Sequence, residues 1–320
     1  MIEWVFLGVL FGALSSVIHY NVLLEFVKSF SAAGLIAIGA SFSGVFFQSL
    51  LLDSKIFKTL FYSFALSLLF TPIHFFLAPL MKDLLQPYFF IALAIIVALI
   101  LVSRKSFSFA LLFFCSGVFG KIVFDSSLKN PLIALFTGFF ALPFLLMNQK
   151  EEPTDFDFPS IIAGVVLASF SPLFPAMTPS FLASIIALFS GSFFSSALSA
   201  LLSKNYFDLI AVYSLNATRS MPAVLVSSSN LTLMQTISAS IAAFGLGFLF
   251  FYQLKDVIRF NFSLVVSLFL AALVFYYDGF YGLIVCGTAL SWASVIVFSK
   301  QPLSAASGCL IVPSLFFALF

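Results

Sequence analysis

The chain has 320 residues, of which 62% are hydrophobic and 8% charged, with a net charge of +2. Soluble domains are about 45–50% apolar and about 25% charged, and surface-to-volume scaling would leave too much of this apolar surface wet in a globule. The balance excludes a soluble fold, and the lack of any basic run interleaved with aromatics excludes nucleic acid as a partner.

Lipid fits the composition as solvent. One span needs about 20 mostly apolar residues, which leaves room for about ten to twelve. The expectation is an all-α polytopic membrane protein. Apolar segments fall at 4–24, 30–52, 57–80, 86–102, 106–124, 130–147, 160–201, 205–226, 232–253, 262–277, 279–298 and 302–320. The first lacks a basic region before it, so it is expected to be retained rather than cleaved as a leader. It is interrupted by Ser15, Ser16, His19 and Asn21. The segment 160–201 has length for two passes and is cut by Pro172, Pro175 and Pro179.

The clearest linker is Asn148 to Pro159, which holds four of the twelve acidic residues and two prolines. It divides the chain into a first membrane repeat, 1–147, a polar linker, 148–159, and a second membrane repeat, 160–320. Phe42-Ser-Gly-Val-Phe-Phe-Gln-Ser49 matches Phe189-Ser-Gly-Ser-Phe-Phe-Ser-Ser196 at six of eight positions, and each follows a broken segment. Internal repeats, often inverted, mark secondary transporters. Arg104, Lys105 and Lys150 point weakly to the cytoplasmic side.

Three stretches could carry chemistry. Ala13-Leu-Ser-Ser-Val-Ile-His-Tyr-Asn21 places serines, a histidine and an asparagine inside an apolar span. Irregular polar backbone at membrane depth is tolerated where it is buried in protein or lines a wet cavity, and a broken helix offers a positive dipole end to an anion. The plainer reading is that His19 and Asn21 reach the interface where the first helix ends. Ser169-Phe-Ser-Pro-Leu-Phe-Pro-Ala-Met-Thr-Pro-Ser180 has three prolines in eight residues, which a continuous helix does not accept. Its plainer reading is a loop between spans. Asn216-Ala-Thr-Arg-Ser-Met-Pro222 sets Arg219 between apolar runs. Arginine in hydrocarbon costs about 2.5–3.5 kcal/mol on insertion scales, so it faces a cavity, a partner or the interface. A guanidinium can grip a carboxylate or phosphate with two parallel bonds.

Other candidates carry less. Cys115, Cys286 and Cys309 lie in apolar stretches without metal spacing and read as small core residues. His74 follows Pro72 and is expected at a helix end, and Asp53 and Asp278 at solvated segment ends. The 47 phenylalanines suit lipid contact and gap filling. HExxH, P-loop, GxSG and GxGD patterns are all absent, and two histidines without an acidic cluster give acid–base catalysis little material. The sequence reads as a carrier and not an enzyme.

At these residues the chain resembles the large membrane subunit of tripartite tricarboxylate transporters (the TctA family), in the shorter form found in archaea. The family carries Gly-Leu-Ile-Pro-Gly-Ile-His-x-Asn in its first span. Ala13 to Asn21 occupies that place, keeping His19 and Asn21. Its Leu-Pro-Gly-x-Gly-Pro resembles Phe174-Pro-Ala-Met-Thr-Pro179, with both prolines kept and both glycines changed. Ser116-Gly-Val-Phe-Gly120 resembles its SGxxG segment, Asn130 to Pro143 its NPLxPLxTGxFGLP segment, and Arg219-Ser220 its Arg-Ser-Gly. The resemblance spans about residues 5–225 in order, and the lost glycines mark a divergent member.

The resemblance implies ion-coupled uptake of carboxylates in the cytoplasmic membrane, with a binding protein and a small membrane subunit as partners. Archaeal members look self-standing, so those partners are not carried over. The expected substrate site lies between the two broken segments. Arg219 would hold the anionic group, and Ser16, His19, Asn21, Ser171, Pro175, Thr178, Ser180, Asn216 and Ser220 would line it. No cofactor or metal is expected beyond a coupling ion, Na⁺ or H⁺. Membrane lipids and a small anionic solute are the expected partners, with homo-oligomerisation left open. A polyprenyl-phosphate translocase and a non-transporting membrane scaffold remain as alternatives.

Overall fold

The computed structural model describes residues 1–15, 32–50, 56–85, 106–143, 156–173, 193–254, 263–301 and 303–319, with 88, 91, 94, 95, 97, 98, 101, 102 and 182 besides. Its helices are α1 (Ile2–Ser15), α2 (Ala33–Leu50), α3 (Ile56–Leu85), α4 (Phe107–Phe124), α5 (Pro131–Phe136), α6 (Phe158–Phe170), α7 (Phe193–Ser214), α8 (Met221–Ser228), α9 (Leu233–Leu254), α10 (Ser263–Phe298) and α11 (Gly308–Leu319). Among the described residues there is no strand. Among the described residues, four helices are long and apolar enough to cross a membrane: Phe57–Leu84, Phe107–Phe124, Leu233–Gln253 and Ser267–Phe298. Their outward faces carry bare apolar side chains, with Phe76 75%, Phe107 83% and Tyr276 79% exposed. Water would penalise such faces and lipid does not. The chain is an all-α membrane protein.

Contacts divide it into two compact units, Met1–Pro87 with Pro153–Phe260, and Tyr88–Glu152 with Asn261–Phe320. One cut falls inside the 148–159 linker, yet each unit draws chain from both sides of it. The stretches 1–147 and 160–320 are therefore successive along the chain but interleaved in packing.

In the first unit, α1 packs on α2, α2 on α8 and α9, and α3 on α6 and α7. Gly8 and Gly39 let α1 and α2 touch backbone to backbone; a Cβ on Gly8 would strike the Ile36 carbonyl and one on Gly39 the Val5 carbonyl. Small residues at such crossings replace the hydrophobic driving force that lipid removes. Phenylalanine fills the space between α2, α3 and α9. Phe46 lies 5.2 Å from Phe244 and 6.0 Å from Phe251, and Phe64 stacks on Phe244 at 4.2 Å. Part of the phenylalanine excess thus serves as interior packing.

α3 carries Pro72 and Pro79 inside one 30-residue helix. The expectation that His74 ends a helix is corrected: it is interior to α3 and 1% exposed. Neighbouring helices and hydroxyls can re-satisfy carbonyls that a proline frees, so proline need not end a membrane helix. The run 205–226 is also corrected, because α7 stops at Ser214 and α8 starts at Met221. Asn216 takes a left-handed φ of 51° there, and the Ala217 amide returns to the Ala211 carbonyl at 3.2 Å. Asparagine tolerates that conformation better than most residues.

In the second unit, α4 packs on α11 and on the 3-10 turn Leu303–Ser307, and α10 packs on α5 and the π-helical turn Thr137–Ala141. A Cβ on Gly120 would strike the Cys309 carbonyl, and one on Gly117 the Val312 side chain. Ser116 accepts the Trp292 indole N–H at 3.0 Å. Ser116 to Gly120 is therefore a helix-packing device. Cys286 and Cys309 are buried and all three cysteines are unpaired, as expected of small core residues. α10 breaks at Gly279, whose φ of 64° and ψ of −156° lie where only glycine is comfortable. Asp278 beside it is half-buried, and its Oδ1 accepts the Asn130 amide at 2.9 Å. That corrects its reading as a solvated end residue.

Candidate functional site

The densest polar arrangement lies in the first unit, where α3, α6 and α7 meet. On α3, Thr59, Ser63, Ser67, Thr71 and His74 recur at spacings of four and three. They share one helix face, and all are buried. Three of the hydroxyls first bond back along their own helix: Ser63 to the Thr59 carbonyl at 2.7 Å, Ser67 to Ser63 at 2.7 Å and Thr71 to Ser67 at 3.0 Å. They then meet α7, with Ser67 and Ser203 hydroxyls 2.9 Å apart and Thr71 and Tyr206 hydroxyls 2.7 Å apart. Thr71 spends its one proton on the Ser67 carbonyl, so Tyr206 is the donor across the seam.

The seam runs to the C-terminal end of α6. Pro172 stops that helix, and a 3-10 turn, Ser171–Leu173, follows. A helix end leaves carbonyls without partners and carries the negative end of the dipole. Side chains from elsewhere supply the donors. His74 Nδ1 lies 2.7 Å from the Ser169 carbonyl, and Arg219 Nε donates to the Pro172 carbonyl at 2.9 Å. A carbonyl only accepts, so Nδ1 carries the hydrogen, and Nε2 then accepts from the Ser214 hydroxyl at 3.0 Å. Lys82 Nζ similarly donates to the Leu215 carbonyl at the end of α7, at 3.2 Å. Apolar Ala78, Ala211 and Leu215 close the space beneath, with Leu173 and Ala217 against them.

Two of the three stretches singled out in the sequence therefore meet, through Arg219 and Pro172. Within them, Ser171 is 2% exposed and donates its hydroxyl to the Ala168 carbonyl at 2.8 Å. Asn216 is exposed and serves as the left-handed residue after α7. Ser220, half-buried and extended, precedes α8 as its N-cap. Arg219 is exposed. Among the described residues only its Nε has a hydrogen-bond partner, and no carboxylate pairs with it. Asp208, eleven residues before Arg219, binds Lys204 at 2.6 Å. Ser16, His19, Asn21, Pro175, Thr178 and Ser180 lie outside the described residues, as does Asp53. Of the first stretch, Ala13, Leu14 and Ser15 are the last residues of α1.

Sequence reasoning missed Lys82 and Tyr206 and placed His74 at a helix end. The signal for His74 was present: hydroxyls at 59, 63, 67 and 71 lead straight to it along one helical face.

Fold and site together define an all-α integral membrane protein with a buried polar seam that runs to the C-terminal end of α6. No family model, curated protein or solved structure matches the chain.

Proposed function

We propose that this protein is a multi-pass carrier in the cytoplasmic membrane that moves a small organic anion, with a carboxylate as the first substrate class. The observation that carries the reading is Arg219. Its Nε is fixed on the Pro172 carbonyl, it is exposed, and it has no carboxylate partner among the described residues. A guanidinium anchored through Nε keeps its outer edge for a bidentate anion. The interleaved units add support for a repeat. Successive chain stretches alternate between units, first, second, first, second, which is the order a duplicated chain gives when equivalent pieces pack together. The resemblance to tricarboxylate carriers suggests citrate and succinate as first probes.

Uptake of labelled citrate and succinate into proteoliposomes tests this, beside binding of a short polyprenyl phosphate. Arg219→Ala should weaken anion binding about 10- to 100-fold, the worth of hydrogen bonds to a charged group. Arg219→Lys should fall between, since one ammonium cannot hold the Pro172 carbonyl and present a fork. Unchanged affinity in Arg219→Ala refutes the anion site. Binding of the polyprenyl phosphate alone transfers the site to a lipid phosphate.

A further inference from the structure

α10 runs from Ser263 to Phe298 and breaks at Gly279. A straight helix of that length would measure about 54 Å, against about 30 Å of hydrocarbon in a bilayer. The chain does not run straight. A Cβ on Gly282 would lie 3.3 Å from the Val274 carbonyl oxygen and would strike Asp278 Cβ. Eight residues along one α-helix advance about 12 Å, so Val274 and Gly282 meet only because the chain folds back between them. Gly279 supplies the reversal, with a φ of 64° and a ψ of −156°. α10 is therefore two arms, 263–278 and 280–298, of about 24 and about 28 Å, and each is close to the length of one pass.

The turn between the arms has the composition of a membrane surface. Tyr276, Tyr277 and Tyr281 are three of the nine tyrosines in the chain, and Phe275, Tyr276, Phe280 and Tyr281 are exposed. Tyrosine gathers at the headgroup level, where its ring meets acyl chains and its hydroxyl meets water. Asp278 ties the turn to the connection between α4 and α5, accepting the Asn130 amide at 2.9 Å. That connection is polar: Asp125 pairs with Lys121, and Ser127 and Lys129 are exposed. Basic residues divide unequally between the two ends of these helices. Lys121 and Lys129 lie toward the turn. Lys300 follows the second arm, and in the sequence Lys255 and Arg259 precede the first, as Arg104 and Lys105 precede α4. An excess of lysine and arginine beside spans marks the cytoplasmic side.

We infer that α10 is a two-pass hairpin whose turn, residues 275–281, is seated in the lipid headgroup layer of the extracytoplasmic face. Both far ends of the hairpin lie on the cytoplasmic face, and the α4–α5 connection lies on the outer face with the turn. A single-pass α10 would set Lys300 on the face opposite Lys255 and Arg259. It would also hold Asp278 and its tyrosines at mid-bilayer, where an ionisable side chain is costly. The inference is independent of the anion reading of Arg219.

The test is sided cysteine labelling of the full chain in cells, with Cys115→Ala as background because Cys286 and Cys309 are buried. The labelled positions leave every basic residue in place. Asp256→Cys and Ser299→Cys should react with a membrane-impermeant maleimide only after the cells are opened, and Ser127→Cys already in intact cells. Asp256→Cys and Ser299→Cys on opposite faces overturns the hairpin, and both reacting in intact cells overturns its orientation. Depth is read separately in the purified protein in lipid, with spin labels on Tyr276→Cys and Ile284→Cys, both exposed positions. The label at 276 should be relaxed more by a water-soluble nickel complex, and the label at 284 more by oxygen. The reverse order overturns the seat of the turn in the headgroup layer.

Discussion

Thr71 and Tyr206 give the sharpest quantitative check on the seam, because their hydrogen bond is asymmetric. Tyr206 is 0% exposed, and its hydroxyl donates to Thr71 Oγ1 across 2.7 Å. Thr71 in turn donates to the Ser67 carbonyl at 3.0 Å. Thr71→Val keeps the shape but strands the phenol in an apolar interior, which costs about 1–3 kcal/mol. Tyr206→Phe removes the donor, yet Thr71 keeps its bond to Ser67. The loss should then be near the average for hydrogen bonds in a membrane protein, about 0.6 kcal/mol. The double variant strands nothing and should be more stable than Thr71→Val alone. Tyr206→Phe therefore rescues Thr71→Val. Reversible unfolding by sodium dodecyl sulfate in mixed micelles, followed by circular dichroism, measures all four corners of the cycle. Equal single losses that add in the double variant would refute the proton direction deduced along Tyr206, Thr71 and Ser67.

The glycines supply two more expectations by the same measurement. Gly120→Val drives a side chain into the Cys309 carbonyl and should destabilise by about 1–3 kcal/mol or more. Gly44→Ala, inside α2 with nothing within 4 Å of the new Cβ, should be neutral or stabilising by about 0.5–1 kcal/mol. Gly279→Ala also meets nothing within 4 Å, yet its positive φ should cost about 1–3 kcal/mol through the backbone alone. A harmless Gly279→Ala would mean that α10 runs straight through that position.

The helical membrane class was legible from composition, and the break at Asp278-Gly279 was legible as the gap between runs 262–277 and 279–298. Arg219 was legible because a charge between apolar runs must be compensated. Other features lay beyond a local reading. The interleaving of units depends on pairings such as Ser67 with Ser203, 136 residues apart, and no local pattern encodes such a partner. His74 was misplaced because Pro72 was taken to stop a helix, as it would in water. The end of α7 at Ser214 did leave a local mark, Asn216 followed by Pro222, but the hydrophobic run on either side masked it.

α7 is the element that ties these observations together. Its 22 residues include Ser195, Ser196, Ser199, Ser203, Lys204, Asn205 and Asp208, a composition that lipid would penalise on any face. It is not among the long apolar helices. No described side chain from 195 to 215 is exposed, and α2, α3, α6, α8 and α9 all pack against it. Several of its polar groups have directed uses: Ser199 donates to the Ile161 carbonyl on α6 at 2.8 Å, Ser203 and Tyr206 meet α3, Ser214 orients His74, and Lys204 holds Asp208. A non-transporting scaffold has no need of a polar helix enclosed on every side, because small apolar residues would pack as well without desolvating charge. A carrier does need one, since a polar solute must find partners away from lipid. The enclosed Lys204–Asp208 pair stands beside Arg219 as support for the proposed transport over scaffolding.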